Sequence, residues 1–250
     1  MGRAFEFRKE RKMKRWGHMA KTFTKIGKEI TIAVKQGGPD VVGNSRLRAL
    51  MAEARSENMP KDNIEKAIKR ALEKNQGDFK EVVFEGYGPH GIAYLVETAT
   101  DNNTRTVANV RSYFTKCGGS LGTSGSVSFM FDHKCVFRIK YQEGMDIDEL
   151  QLALCDCDDD PEVFIEEQED KDENITKNVV IYGAYESYGA IQKYIEDNGY
   201  ELVSGGFERI PNVELKDVTP EQRETLDKLT GLLEDDDDVT NVYNTLKPAE

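Results

Sequence analysis

Seven basic residues crowd the start of the chain: Arg3, Arg8, Lys9, Arg11, Lys12, Lys14 and Arg15. Phe5 and Phe7 are interleaved with them and Trp16 follows, while Lys21, Lys25 and Lys28 continue the series. Cations beside aromatic rings suit a surface that follows a phosphate backbone and stacks on bases. Each neutralised phosphate releases counterions, and every base offers a ring face. About six such contacts supply micromolar binding before any base is read. The plainer reading of a charge run taken alone is a solvated tail, and Trp16 reads equally as a stacking residue or a core anchor.

Other residue sets are weaker candidates. Lys66, Lys69 and Arg70 could extend the basic surface, although interleaved Glu65 and Glu73 favour a solvated helix with internal ion pairs. Asn102, Asn103 and Arg105 sit in a polar loop that could hold a contact, and capping of the helix that follows is the preferred reading. Gly118, Gly119, Gly122 and Gly125 form a glycine-rich loop. A phosphate-cradling loop needs a following helix and a Lys-Ser/Thr pair, and a strand is expected there instead. The loop reads as a connector, with close approach of an RNA backbone left open.

Asp156–Glu167 has acids at the first, third, fifth and twelfth places of a calcium loop, but Pro161 occupies the sixth, where the sharp turn needs glycine. It reads as a solvated acidic loop, and Asp235–Asp238 as a similar solvated turn. Cys155 and Cys157 form a C-x-C with no second cluster to complete a zinc site, so no metal is expected. His18, His90 and His133 are widely spaced, and no hydrolase, zinc-protease or dinucleotide motif stands in a suitable setting. A non-enzymatic protein without cofactor or small-molecule substrate is expected.

The elements that must carry these residues follow from periodicity. Phe23, Ile26, Ile30, Ala33 and Val34 recur at helical spacing over about Ala20–Gln36, and Gly37-Gly38-Pro39 stops the run. A second helix starts after Asn44 with Leu47, Leu50, Met51 and Ala54 inward. A third starts at Pro60 with Ile64, Ala67, Ile68, Ala71 and Leu72 inward. From Glu81 the period changes. Strands are expected at Val82–Phe84, Ile92–Val96 and Val127–Phe131, with a helix at Thr104–Lys116.

Residues 135–204 then read strand, helix, strand, strand, helix, strand, the split β-α-β order of a ferredoxin-like domain. A strand near Phe207–Val213, a helix over Pro220–Leu233 and a strand at Val239–Tyr243 complete the chain. The expected fold class is α+β: an N-terminal three-helix-type domain followed by two ferredoxin-like α+β domains, one inserted in the other. The expected limits are 1–78 for the basic helical domain, 79–133 plus 207–250 for a discontinuous domain, and 134–206 for the insertion.

The net charge of −12 hides a division. Residues 1–80 hold 20 Lys/Arg against 10 Asp/Glu, and the remaining 170 hold 14 against 36. A basic module on an acidic body should meet a polyanion in one orientation. The chain has no apolar run long enough to span a membrane and no secretory h-region, so a soluble, cytoplasmic protein with no membrane partner is expected. The four cysteines are expected as reduced thiols.

Six separated blocks give a more specific reading: Phe23–Ile32 (FTKIGKEITI), Asn58–Ala67 (NMPKDNIEKA), Phe84–Gly91 (FEGYGPHG), Thr100–Val107 (TDNNTRTV), Gly118–Ser126 (GGSLGTSGS) and Asp235–Tyr243 (DDDDVTNVY). With these the sequence resembles the YebC family, as a divergent branch whose start, GRAFEFRKERKMKRWGHMAKT, departs from the family's SKW motif and short basic helix. The resemblance implies a helical N-terminal domain followed by two α+β domains. It also implies a regulator of gene expression, described as transcriptional and linked to translation. Three functions are therefore carried: a translation factor at the ribosome or messenger RNA, which the physics favours, a DNA-binding transcriptional regulator, and a protein-interaction scaffold. The expected partner is nucleic acid, RNA or ribosome or DNA.

Overall fold

The structure is a computed structural model that describes residues 3–73, 78–169 and 175–248; of residues 3–18, 45, 168, 169, 175 and 176 it describes the backbone alone. Helix α1 runs from Arg3 to Gly37, so it begins well before the expected Ala20. The added stretch is rich in Arg, Lys, Glu and Met and holds no proline, a composition that a helix tolerates well. Ile26, Ile30, Ala33 and Val34 are buried as expected. Gly38, at φ 84°, ends the helix by donating its N–H to the Val34 carbonyl at 2.8 Å.

Helix α2 (Ser45–Ser56) is capped by the Asn44 side chain, which accepts from the Leu47 N–H at 3.0 Å. Pro60 stands just before α3 (Lys61–Leu72) and its carbonyl accepts from the Asn63 N–H at 2.9 Å; the helix buries Ile64, Ala67 and Ala71. Leu72, expected inward, is 59% exposed, because the helix ends there and the chain turns extended at Glu73.

By its internal contacts the chain divides into two units. The first comprises residues 1–39, 57–131 and 211–250, and the second 40–56 and 132–210. In the first unit β1 (Lys80–Tyr87) and β2 (Ala93–Thr100) pair antiparallel through a turn in which His90 and Gly91 both take positive φ. The two-residue β3 (Ser120–Leu121) and β8 (Val239–Asn244) complete a sheet of order β3-β1-β2-β8, against which α4 (Asn103–Lys116) and α7 (Pro220–Glu234) pack. Tyr94, Val110, Phe114, Leu226, Leu229 and Leu233 fill its core, with the Tyr94 and Phe114 rings edge-on at 5.8 Å. Gly119 is needed where the chain passes β1, since a Cβ there would lie 2.6 Å from the Tyr87 carbonyl oxygen.

The second unit holds β4 (Phe131–Lys140, which starts one residue before the division), α5 (Ile147–Leu154), β5 (Glu162–Glu169), β6 (Ile175–Ala184), α6 (Tyr188–Asp197) and β7 (Leu202–Pro211). The sheet order β5-β6-β4-β7 is that of the expected split β-α-β pattern. Phe137, Ile139, Leu154, Ile181 and Ile191 centre its core, and Ala49 of α2 joins them. The chain therefore forms an α+β fold with two four-stranded antiparallel sheets and helices.

Two expected elements change. Residues 128–130 form a single 3-10 turn in place of the strand over Val127–Phe131. The separate strands expected at Tyr200–Ser204 and Phe207–Val213 are one strand, β7, which the Gly205-Gly206 pair does not break.

Candidate nucleic-acid interface

One side of α1 is tied to the end of α7. Lys21 Nζ donates to Asp235 Oδ1 at 2.8 Å, Lys25 Nζ to the Glu234 carbonyl at 2.7 Å, and Lys28 Nζ to Asp238 Oδ1 at 2.7 Å. Positions 21, 25 and 28 share a helix face, so the three ammonium groups form a row. They meet the negative end of the α7 dipole and the acids that follow it, a favourable pairing. The hydrogen bond from Lys21 to Asp235 raises the Lys21 pKa, whereas burial lowers that of Lys25.

Asp238 is the centre of this contact and is 4% exposed. Besides Lys28 it accepts from Arg105 Nη2 at 2.6 Å and from Thr106 Oγ1 at 2.9 Å. Burial alone would raise its pKa, but these donors outweigh burial and hold it at about 2. Arg105 also pairs with Asp101 at 2.9 Å. Asp236 accepts from Asn109 Nδ2 at 3.2 Å and from the Tyr113 hydroxyl at 2.9 Å. Burial first, and then Asp236, push Tyr113 up to about 12. The turn expected to be solvated is thus a hydrogen-bonded seat for α1. The sequence carries only part of the signal: four acids at a helix C-terminus oppose the dipole and favour cations nearby, but nothing local says which cations.

The glycine-rich loop is organised by Glu85, a residue the sequence reading did not single out. Its buried carboxylate accepts from the N–H groups of Gly125 at 2.8 Å, Val127 at 2.7 Å and Ser128 at 2.8 Å. Burial would raise the Glu85 pKa, and the three backbone donors bring it below the usual carboxylate range. Those amides already hold an anion of the protein's own.

Between α1 and α3 lies a groove of about 440 Å³, lined by Phe23, Gly27, Met59, Lys66, Arg70 and Phe79 among others. Arg70 Cζ is 4.8 Å from the Phe79 ring centre and Lys28 Nζ is 5.5 Å from it.

The model of the TACO1/YebC N-terminal domain matches residues 3–74, and that of the TACO1/YebC second and third domains matches residues 79–246. The chain belongs to the TACO1/YebC family. A relative in Parabacteroides distasonis, named "Probable transcriptional regulatory protein", is 60% identical over 247 residues, covering 99% of this chain and 97% of its own. One in Bacteroides thetaiotaomicron with the same name is 58% identical over 250 residues, covering 100% and 98%. The crystal structure of a conserved hypothetical protein from Aquifex aeolicus matches with a TM-score of 0.74 at 32% identity, covering 92% of this chain and 91% of that one.

In this TACO1/YebC chain the sequence-derived site residues fall into four groups. The side chains of Arg3, Arg8, Lys9, Arg11, Lys12, Lys14, Arg15 and Trp16 lie outside the described residues; their backbone is the first part of α1. Lys21, Lys25, Lys28 and Arg105 are brought together, but around the protein's own 234–238 turn. Lys66, Lys69 and Arg70 are exposed on α3. Asn102 caps α4, accepting from the Arg105 N–H at 3.1 Å, and Asn103 is the exposed first residue of that helix. Among the described residues no group of three or more His, Cys, Asp or Glu is placed to hold a metal ion. No described helix is long and apolar enough to cross a membrane.

Proposed function

We propose that the protein is a non-enzymatic, cytoplasmic regulator of gene expression that binds nucleic acid through the basic first half of α1, acting as a translation factor on the ribosome or messenger RNA. The observation that carries this reading is the partition of charge, with 20 Lys/Arg against 10 Asp/Glu in residues 1–80 of a chain whose net charge is −12. The clamp supports it. Lys21, Lys25 and Lys28 fix α1 by its second half, so Arg8, Arg11, Lys12 and Arg15 ride on one continuous anchored helix. Their spacing of three and four residues places them on one helix face, as a phosphate-following surface requires.

Residues 1–35 contain no Asn or Gln, the residues that read adenine edges, so base reading by this segment is limited mainly to Arg and Lys at guanine, and the preference for an RNA backbone rests on its phosphate-following charge. A second reading, a DNA-binding transcriptional regulator, is favoured by the name "Probable transcriptional regulatory protein" carried by relatives at 58–60% identity.

Co-sedimentation with ribosomes, set beside binding to duplex DNA at physiological salt, separates the two. Ribosome association lost on deleting residues 1–19 is the expected result. Duplex affinity that survives at that salt with no ribosome association would favour the second reading. Absence of any nucleic-acid affinity at low salt would leave a protein-interaction scaffold.

A further inference from the structure

We propose that the groove between α1 and α3 holds one unpaired nucleotide of a bound single-stranded RNA, with its base beside Gly27 and its phosphate against Lys66 and Arg70. The proposal rests on the nucleic-acid reading above and names the element of RNA that this second site takes.

The lining of the groove departs from the chain's overall character. Among the described residues its lining includes Lys28, Lys66 and Arg70 and no Asp or Glu, in a protein of net charge −12. Lys28 is committed to Asp238, which leaves the exposed Lys66 and Arg70 to face a phosphate. The apolar part comes from Phe23, Met59 and Phe79. Phe79, with Arg70 Cζ 4.8 Å from its ring centre, supplies an aromatic surface of the kind on which unpaired bases stack. The volume of about 440 Å³ falls within the roughly 300–1,000 Å³ of small-ligand sites.

Beyond Phe79 the chemistry reverses. A neighbouring hollow of about 540 Å³ shares Thr24, Lys28 and Phe79 with the groove but is lined by Asp101 and Asp235–Asp238, which outnumber its cations Lys28 and Arg105. A polyanion is repelled there, so its path is confined to the α3 side of Phe79.

Gly27 gives the groove its floor. A glycine inside a helix weakens it relative to alanine, because the unfolded chain has more freedom to lose. Packing does not require the glycine here, since a Cβ at this position would meet nothing within 4 Å. What the missing side chain does is leave the α1 backbone open to an approaching ring.

The test measures affinity of the full chain for a fluorescent decauridylate, together with the thermal midpoint. Gly27→Leu should weaken binding about tenfold, by occupying the space of one stacked base, without lowering the midpoint. Lys66→Gln with Arg70→Gln, both surface changes, should weaken it at least about fivefold. Should Gly27→Leu fail to fold, photo-crosslinking of 4-thiouridine RNA to the wild-type chain decides. Adducts on Phe23 or Phe79 are expected, and adducts confined to other segments overturn the proposal. Retention of wild-type affinity by the groove variants, alongside its loss in a chain with Arg8, Arg11, Lys12 and Arg15 changed to Gln, would sink the groove and leave the basic helix standing. Retention by all of them would sink both readings.

Discussion

Lys28 Nζ lies 2.7 Å from Asp238 Oδ1, and the two side chains are only 11% and 6% exposed. This pair joins α1 to the turn after α7 across more than two hundred residues of sequence, and Arg105 completes it from α4. A lysine that reads in sequence as a ligand for phosphate is, in the fold, a ligand for the protein's own carboxylate.

Removing one member of a withdrawn pair leaves the other charged and poorly solvated. Lys28→Met should cost about 1–3 kcal/mol, softened because Arg105 still faces Asp238. Asp238→Ala should cost more, since Lys28, Arg105 and Thr106 all lose a shared buried acceptor and retain their contacts to the Asp237 carbonyl, Asp101 and the Asn102 carbonyl. Urea unfolding checks both, and midpoints equal to wild type would refute the clamp as a stabilising contact.

The same carboxylate sets an acid limit on stability. Its folded pKa of about 2 lies below the ordinary aspartate value, so its contribution is fully present above about pH 4 and is lost as pH falls through about 2. A shift of this size corresponds to about 2 kcal/mol. Unfolding free energy measured from pH 5 to pH 2 should fall less steeply in Asp238→Asn than in wild type. Parallel curves would contradict the assignment.

Glu85→Gln replaces an acceptor of three backbone N–H bonds with an amide whose NH₂ faces donors. The expected cost is about 2–3 kcal/mol. Hydrogen exchange should accelerate most at Gly125, Val127 and Ser128, the amides that lose the carboxylate. Uniform acceleration across the chain would mean that Glu85 does not organise the loop.

Thiol chemistry reports on the second unit. Cys155 is exposed, Cys157 is half-buried and raised in pKa by burial, and burial pushes Cys135 up to about 12. A thiolate-seeking reagent should therefore label Cys155 first and Cys157 more slowly. Cys135 and the buried Cys117 should react only on unfolding. Mass spectrometry of partially labelled protein gives the order, and early labelling of Cys135 would contradict the packing.

The elements were legible because their signals are local. The Ile26, Ile30, Ala33 stripe, the Asn44 and Asn102 caps and the Gly37-Gly38-Pro39 stop act within a few residues, and each appears in the structure. The pairing of the clamp was not legible, since its partners are more than two hundred residues apart and only the fold brings them together. Charge patterning gave Lys21, Lys25, Lys28 and Asp235–Asp238 opposite signs but no reason to join them. Glu85 escaped for a related cause: a lone glutamate inside a strand reads as an outward residue, and only the loop that returns over β1 makes it buried. The start of α1 was missed because its helix-forming residues lack the apolar stripe that periodicity detects.

The central claim is that positive charge on the first half of α1 meets an RNA backbone. It is tested most directly by the slope of log affinity against log salt for single-stranded RNA, comparing wild type with Arg8, Arg11, Lys12 and Arg15 all changed to Gln. Four lost phosphate contacts predict a slope shallower by about 3 and an affinity at low salt reduced by at least about a hundredfold. An unchanged slope with unchanged affinity would contradict the account.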